Sequence, residues 1–224
     1  TFESYVRNPL EQTLEQTIFS LSQHPLFLNM MKICPISDLK IENFLTCLRS
    51  EILNHLAQLS NSKENLTFIS ALALQCFTNE YIYVQTDKDT ELLKILENSV
   101  EKGFLDGYQP APLVVACLAS YKPLYDYSWH HLLHLTGDLE ELATRQIFEL
   151  QHENILRDQM PILSKITDGV SFRVREQYEK YPYPRWVNLK LPLVAKPIFE
   201  IAKDMNLKVV DHKIYDCAKP QILI

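Results

Sequence analysis

Apolar positions recur at helical spacing along most of the chain. Leu10, Leu14, Ile18 and Leu21 share one face of a helix. Asn8-Pro9 supplies its start, because Asn caps a helix and Pro suits a first turn whose N–H has no partner anyway. His24-Pro25 interrupts the run, a short apolar helix over residues 26–33 follows, and Pro35 closes it. Ser37 or Asp38 caps the next helix, whose stripe runs through Leu39, Phe44, Leu45, Leu48, Ile52, Leu53, Leu56 and Leu59. After a polar connector over 60–65, a strongly apolar helix spans residues 66–76. Residues 81–84 (Tyr-Ile-Tyr-Val) have strand propensity, yet their place between helices predicts helix.

Further on, Thr86 or Asp87 caps a helix carrying Leu92, Leu93, Ile95 and Leu96, with Gly103 as its C-terminal glycine. Ala111-Pro112 opens another, over residues 113–119. A short helix bears Trp129, Leu132 and Leu133 and stops at Gly137. Asp138 with Glu141 has the capping-box pattern for an amphipathic helix reaching Arg157.

Beyond Arg157 the pattern changes. Pro161 and Gly169 punctuate a linker, and residues 170–181 predict one more helix. Tyr181-Pro182-Tyr183-Pro184-Arg185-Trp186 excludes helix, because a residue before proline is pushed to extended geometry. Residues 192–205 read as helix, whereas 207–212 and 221–224 read as short strands. The expected fold is therefore mostly α. An irregular multi-helix domain occupies 1–160, and a linker with the Pro-Tyr-Pro-Arg-Trp motif occupies 161–191. Residues 192–224 form the start of an α/β, Rossmann-like domain that is cut off. No internal repeat of fixed period is present.

Composition narrows the function. The chain has 224 residues and a net charge of -6, with 22 basic against 28 acidic side chains. That balance, without basic clusters, argues against nucleic acid as a partner. No apolar run approaches the ~18 residues of a membrane span, and the first residues lack a signal-peptide pattern. No initiator Met begins the chain, which reads as a fragment or processed form. Cys34, Cys47, Cys76, Cys117 and Cys217 are too widely spaced for a metal knuckle and read as reduced thiols of a cytoplasmic protein. The four glycines, Gly103, Gly107, Gly137 and Gly169, nowhere form GxG. Phosphate and dinucleotide loops need closely spaced glycines, so the Walker loop and the Rossmann fingerprint are excluded within these residues. By themselves the residues are not expected to make a complete enzyme.

Two segments carry a resemblance. Ala73-Leu74-Gln75-Cys76-Phe77-Thr78-Asn79-Glu80-Tyr81 and Arg175-Glu176-Gln177-Tyr178-Glu179-Lys180-Tyr181-Pro182-Tyr183-Pro184-Arg185-Trp186, in this order, resemble bacterial class I S-adenosylmethionine-dependent methyltransferases. These carry a helical, tetratricopeptide-repeat-associated N-terminal region, and some relatives are similar to bacterial protein lysine methyltransferases. The resemblance covers residues 37–224. It implies that Lys219-Pro220-Gln221-Ile222-Leu223-Ile224 leads into the glycine loop holding S-adenosylmethionine, a loop these residues lack. It also implies a downstream methyltransferase domain as partner. The helical part would then serve substrate docking, dimerisation or pocket closure, with a protein substrate or a second copy as further partners. The alternative is a helical protein–protein interaction module that does no chemistry.

Six residues are candidates for cofactor or substrate binding. Tyr178, Tyr183, Arg185 and Trp186 form an aromatic, proline-stiffened stretch. Aromatic faces attract a sulfonium through cation–π contact, and Arg185 suits a carboxylate. The same stretch also suits a rigid connector between domains. Asn79 and Glu80 follow an apolar helix, where a charge needs hydrogen-bonded partners or caps neighbouring helices. His130 and His134 have the four-residue spacing of paired zinc ligands. With no Glu at the HExxH position and no third ligand nearby, packing or surface roles fit these histidines better than a metal. No catalytic residue is assigned.

Overall fold

The computed structural model describes residues 13–135, 137–161, 168–180, 187, 196–206, 208 and 213. The chain divides into two compact units, Thr1–Val187 and Asn188–Ile224. In the first lie α1 (Leu14–Ser22), α2 (Pro25–Ile33), α3 (Leu39–Asn54), α4 (Lys63–Thr78), α5 (Asp87–Leu105) and α6 (Pro112–Ala119). After 3-10 turns at Leu124–Asp126, His130–Leu132 and Gly137–Leu139 come α7 (Glu140–Ala143), a π turn (Thr144–Phe148), α8 (Glu149–Gln159) and α9 (Gly169–Lys180). In the second unit the described helix is α10 (Ile198–Asp204). No strand occurs among the described residues, and no described helix is long and apolar enough to cross a membrane.

The centre of the first unit is α4. Phe68, Ile69, Leu72, Leu74, Cys76 and Phe77 are all buried, on every side of the helix. A helix apolar all round belongs in the middle of a core. It packs on α1, α2 and α6, while α3 packs on α5. The outer helices deliver one stripe each: Ile18 and Leu21 from α1, Leu28 and Met31 from α2, and Leu45, Leu48, Ile52 and Leu53 from α3. Burying each large aliphatic or aromatic side chain contributes about 1.5–3 kcal/mol, which makes α4 the main source of stability.

The caps are legible one by one. Thr13 and Gln16 form a reciprocal capping box at α1, with N–H···O distances of 3.1 and 3.3 Å. The Asp38 carboxylate accepts from the Lys40 and Ile41 amides at 3.0 Å each, so Asp38 and not Ser37 starts α3. Thr86, not Asp87, starts α5 in a capping box with Asp89. Asp89 also accepts the Ser50 hydroxyl at 2.6 Å, tying α5 to α3. Ser62 caps α4 through the Asn65 amide, so this helix begins three residues before its apolar run.

Several expectations are corrected. Residues 81–84 are irregular and not helical. Gly103 lies inside α5, which ends at Leu105, and the left-handed glycine behind it is Gly107, with φ 80°. The helix expected around Trp129 is a single 3-10 turn at His130–Leu132, and the helix expected from Asp138 begins at Glu140. Its buried residues, Leu142, Ala143, Arg145, Gln146 and Ile147, fall in α7 and the π turn, while α8 buries none. The start at Asn8-Pro9, Thr136, the Tyr181–Trp186 motif and the segments 209–212 and 221–224 lie outside the described residues, as does Cys217.

Candidate functional site

The end of α4 builds the site. The Glu80 N–H donates to the Phe77 carbonyl at 3.3 Å, and the Tyr81 N–H donates to the Cys76 carbonyl at 2.7 Å. This is the Schellman arrangement, with Asn79 as the cap residue and Glu80 in the left-handed position. The same bonds close α5, where Gly107 donates to Phe104 at 3.1 Å and Tyr108 to Gly103 at 2.8 Å. At α5 the left-handed residue is glycine. At α4 it is a glutamate with φ 57°, followed by Tyr81 with φ 56°. Left-handed backbone costs an L-residue about 1–2 kcal/mol, and such outliers cluster at functional sites. Glu80→Gly is expected to raise the unfolding free energy by about 1 kcal/mol by relieving this strain. Urea titration checks it, and a clear loss of stability would show that contacts of the Glu80 side chain outweigh the strain.

Two buried polar side chains shape what surrounds this turn. Arg49 of α3 donates from Nη2 to the Tyr83 and Val84 carbonyls at 3.0 Å each, and from Nη1 to the Ser120 carbonyl at 3.2 Å. Its guanidinium also lies 4.3 Å from the Tyr121 ring centroid and 5.6 Å from that of Tyr83. The irregular segment 81–84 is therefore held from inside by one cation, and the Tyr81 hydroxyl adds a bond to the Ala119 carbonyl at 3.2 Å. Gln75 of α4 is completely buried. Oriented by its surroundings, its amide nitrogen donates to the Cys34 and Met31 carbonyls at 3.1 and 2.8 Å, and its oxygen accepts from the Ile36 N–H at 3.1 Å. That stitches the α2–α3 connection to α4.

Between these two anchored segments and the end of α9 lies a cleft of about 400 Å³. Pro35, Ile36 and Ser37 come from the α2–α3 connection, Glu42 from the first turn of α3, Asn79, Glu80 and Ile82 from beyond α4, and Gln177 and Tyr178 from α9. All belong to the first unit. Tyr178 is 64% exposed and Asn79 only 4%. The Asn79 Oδ1 is buried and accepts no hydrogen bond. Glu42 is half-buried and forms no ion pair among the described residues. Burial, above all, pushes the Tyr83 hydroxyl well above its ordinary pKa; the nearby Glu42 carboxylate adds to the rise, while Arg49 and Asn79 oppose it.

The structure thus brings together three of the six sequence candidates, Asn79, Glu80 and Tyr178. Tyr183, Arg185 and Trp186 lie outside the described residues. Sequence reading missed Glu42, Arg49 and Gln75. Two of these had a signal: Arg49 occupies a buried-face position between Leu45, Leu48, Ile52 and Leu53, and Gln75 interrupts an apolar run. Glu42 had none, because one acidic residue in a first helical turn is ordinary.

Other chemistry finds little footing. Burial pushes the Cys76 and Cys117 thiols up to about 12, against the lowering influence of Arg49, so both stay protonated and inert. His130 lies in a 3-10 turn with Nδ1 2.8 Å from the Tyr127 carbonyl, and His134 falls beyond that turn, so the shared helix face is absent. Among the described residues no group of His, Cys, Asp or Glu could hold a metal ion.

No family model, curated protein or solved structure matches this chain.

Proposed function

We propose that this chain is the helical accessory region of a larger S-adenosylmethionine-dependent methyltransferase, and that its cleft faces the methyl acceptor. One observation carries the reading. The two segments that bear the resemblance, distant in sequence, each contribute to the same cleft: Asn79 and Glu80 from the first, Gln177 and Tyr178 from the second. Strained backbone at Glu80 and Tyr81 adds support, because a fold retains such conformations where a side chain must be aimed.

The cleft does not suit the cofactor itself. Its described lining holds two glutamates and the unsatisfied Asn79 oxygen, and the methionine carboxylate of S-adenosylmethionine would face like charge there. No described segment offers closely spaced glycines. On this reading the cofactor loop follows residues 219–224, and the helical region supplies positioning, worth several powers of ten in rate when a reactant is held correctly.

The test is the polypeptide isolated from its own cells, read by intact mass and sequenced past Ile224, with S-adenosylmethionine binding measured by equilibrium dialysis. A glycine-rich loop after Ile224 together with cofactor binding is the expected result. A native C-terminus near Ile224, or a continuation without such a loop, sinks the reading and favours a module that only binds a partner.

A further inference from the structure

We infer that the cleft recognises an N–H-bearing cation on an aliphatic stem, an ammonium or guanidinium of the kind a basic peptide side chain presents. The inference deepens the reading above and rests on it only in taking this cleft for the functional site.

Four features of the lining carry it. First, the Asn79 Oδ1 is a buried acceptor without a donor, and such an atom costs about as much as a lost hydrogen bond until a donor reaches it. A donor entering by the cleft that Asn79 lines satisfies it. Second, Glu42 brings a half-buried carboxylate with no ion pair among the described residues, and Glu80 adds a second carboxylate to the same wall. No basic side chain occurs among the described lining residues. Third, Tyr178 presents an exposed ring, and an ammonium or guanidinium over an aromatic face is attracted by its quadrupole. Fourth, Pro35, Ile36 and Ile82 give apolar surface on which a methylene stem can lie while its charged head reaches the polar end.

The acceptor at Asn79 separates this ligand from the cofactor. A sulfonium has no N–H to donate, and the α-ammonium of S-adenosylmethionine comes with a carboxylate that Glu42 and Glu80 repel. An amide oxygen beside carboxylates selects a cation that donates hydrogen bonds, and the side chains of lysine and arginine both qualify.

The experiment titrates the full 224-residue chain, isotopically labelled, and follows backbone amide shifts. The probes are N-acetyl-lysine methylamide, N-acetyl-arginine methylamide, their uncharged counterpart N-acetyl-norleucine methylamide, and S-adenosylmethionine. Saturable shifts at residues 36–42 and 79–82 with one or both cationic amides are expected, with binding about tenfold or more weaker for the norleucine amide and for Glu42→Gln. Which cationic amide binds more tightly identifies the source. Glu42 lies at a helix surface, so its substitution preserves the fold; Tyr178→Phe, which keeps the ring, is expected to retain binding, and Tyr178→Ala to weaken it. Equal binding of the norleucine amide, no shifts in these segments with any cationic amide, or tighter binding of S-adenosylmethionine than of both overturns the inference. That last result would leave the methyltransferase reading standing. Binding of a cationic amide by a protein whose native chain has no cofactor loop would sink the methyltransferase reading alone.

Discussion

Arg49→Met is expected to lower the unfolding free energy by about 3 kcal/mol, more than its lost contact area would suggest. The guanidinium is 2% exposed and always charged, yet it forms no ion pair with a carboxylate among the described residues. Its charge is balanced by three carbonyl oxygens and two tyrosine faces. Methionine fills much of the volume but donates nothing, so the carbonyls of Tyr83, Val84 and Ser120 lose this donor. Charge-assisted bonds contribute about 1.5–3 kcal/mol each, part of which is recovered because the cation's own desolvation cost disappears with it. Arg49→Lys keeps the charge but places a single point donor where a planar fork reached three oxygens, and is expected to lose about half as much. Urea unfolding followed by near-ultraviolet circular dichroism of the tyrosines reads both. A loss below about 1 kcal/mol for Arg49→Met would mean that segment 81–84 is held by other contacts. The same substitution is expected to abolish ligand shifts in the cleft, because Ile82 hangs on the carbonyls that Arg49 binds.

Gln75→Leu is expected to cost about 2 kcal/mol, although leucine is apolar, close in size and placed in an apolar helix. Burial of the side chain is complete, so no water replaces its hydrogen bonds. The Ile36 N–H and the Cys34 carbonyl are left without the partners that Gln75 supplies. An unsatisfied buried group costs about 1–3 kcal/mol, set against a modest gain from burying leucine. The local consequence is sharper than the global one. Amide hydrogen exchange at Ile36 is expected to accelerate by a factor of ten or more, as the α2–α3 connection loses its tie to α4. Unchanged protection at Ile36 would rule out Gln75 as the anchor of this wall. Comparing the two variants also tests the cleft, since one loosens its 81–84 side and the other its 34–37 side.

Helix boundaries were the most legible part of this protein because they are set by neighbouring residues. Thr13, Asp38, Ser62 and Thr86 each cap a helix through amides two or three positions away, and Pro25 and Pro112 each open one. The centrality of α4 could be read in its unbroken apolar run. Gly107 was passed over in favour of Gly103 because the sequence does not mark which of two nearby glycines adopts positive φ. Residues 81–84 misled both propensity and context. Their conformation is imposed by Arg49, more than thirty positions earlier, and by the end of α6 beyond them.

The candidate site divides in the same way. By itself the sequence determined that the chain is helical, that its glycines cannot form a phosphate or dinucleotide loop, and that Asn79, Glu80 and Tyr178 stand out, because composition, periodicity and short-range capping act within a few residues. Only the tertiary structure decided that these three share one cleft with Glu42, that Glu80 sits in a left-handed turn elsewhere given to glycine, and that the Asn79 oxygen is buried without a donor. Those facts depend on which backbone groups α3, α4 and α9 bring together across long stretches of chain, and burial and hydrogen-bond satisfaction are properties of that assembly and not of any local run of residues.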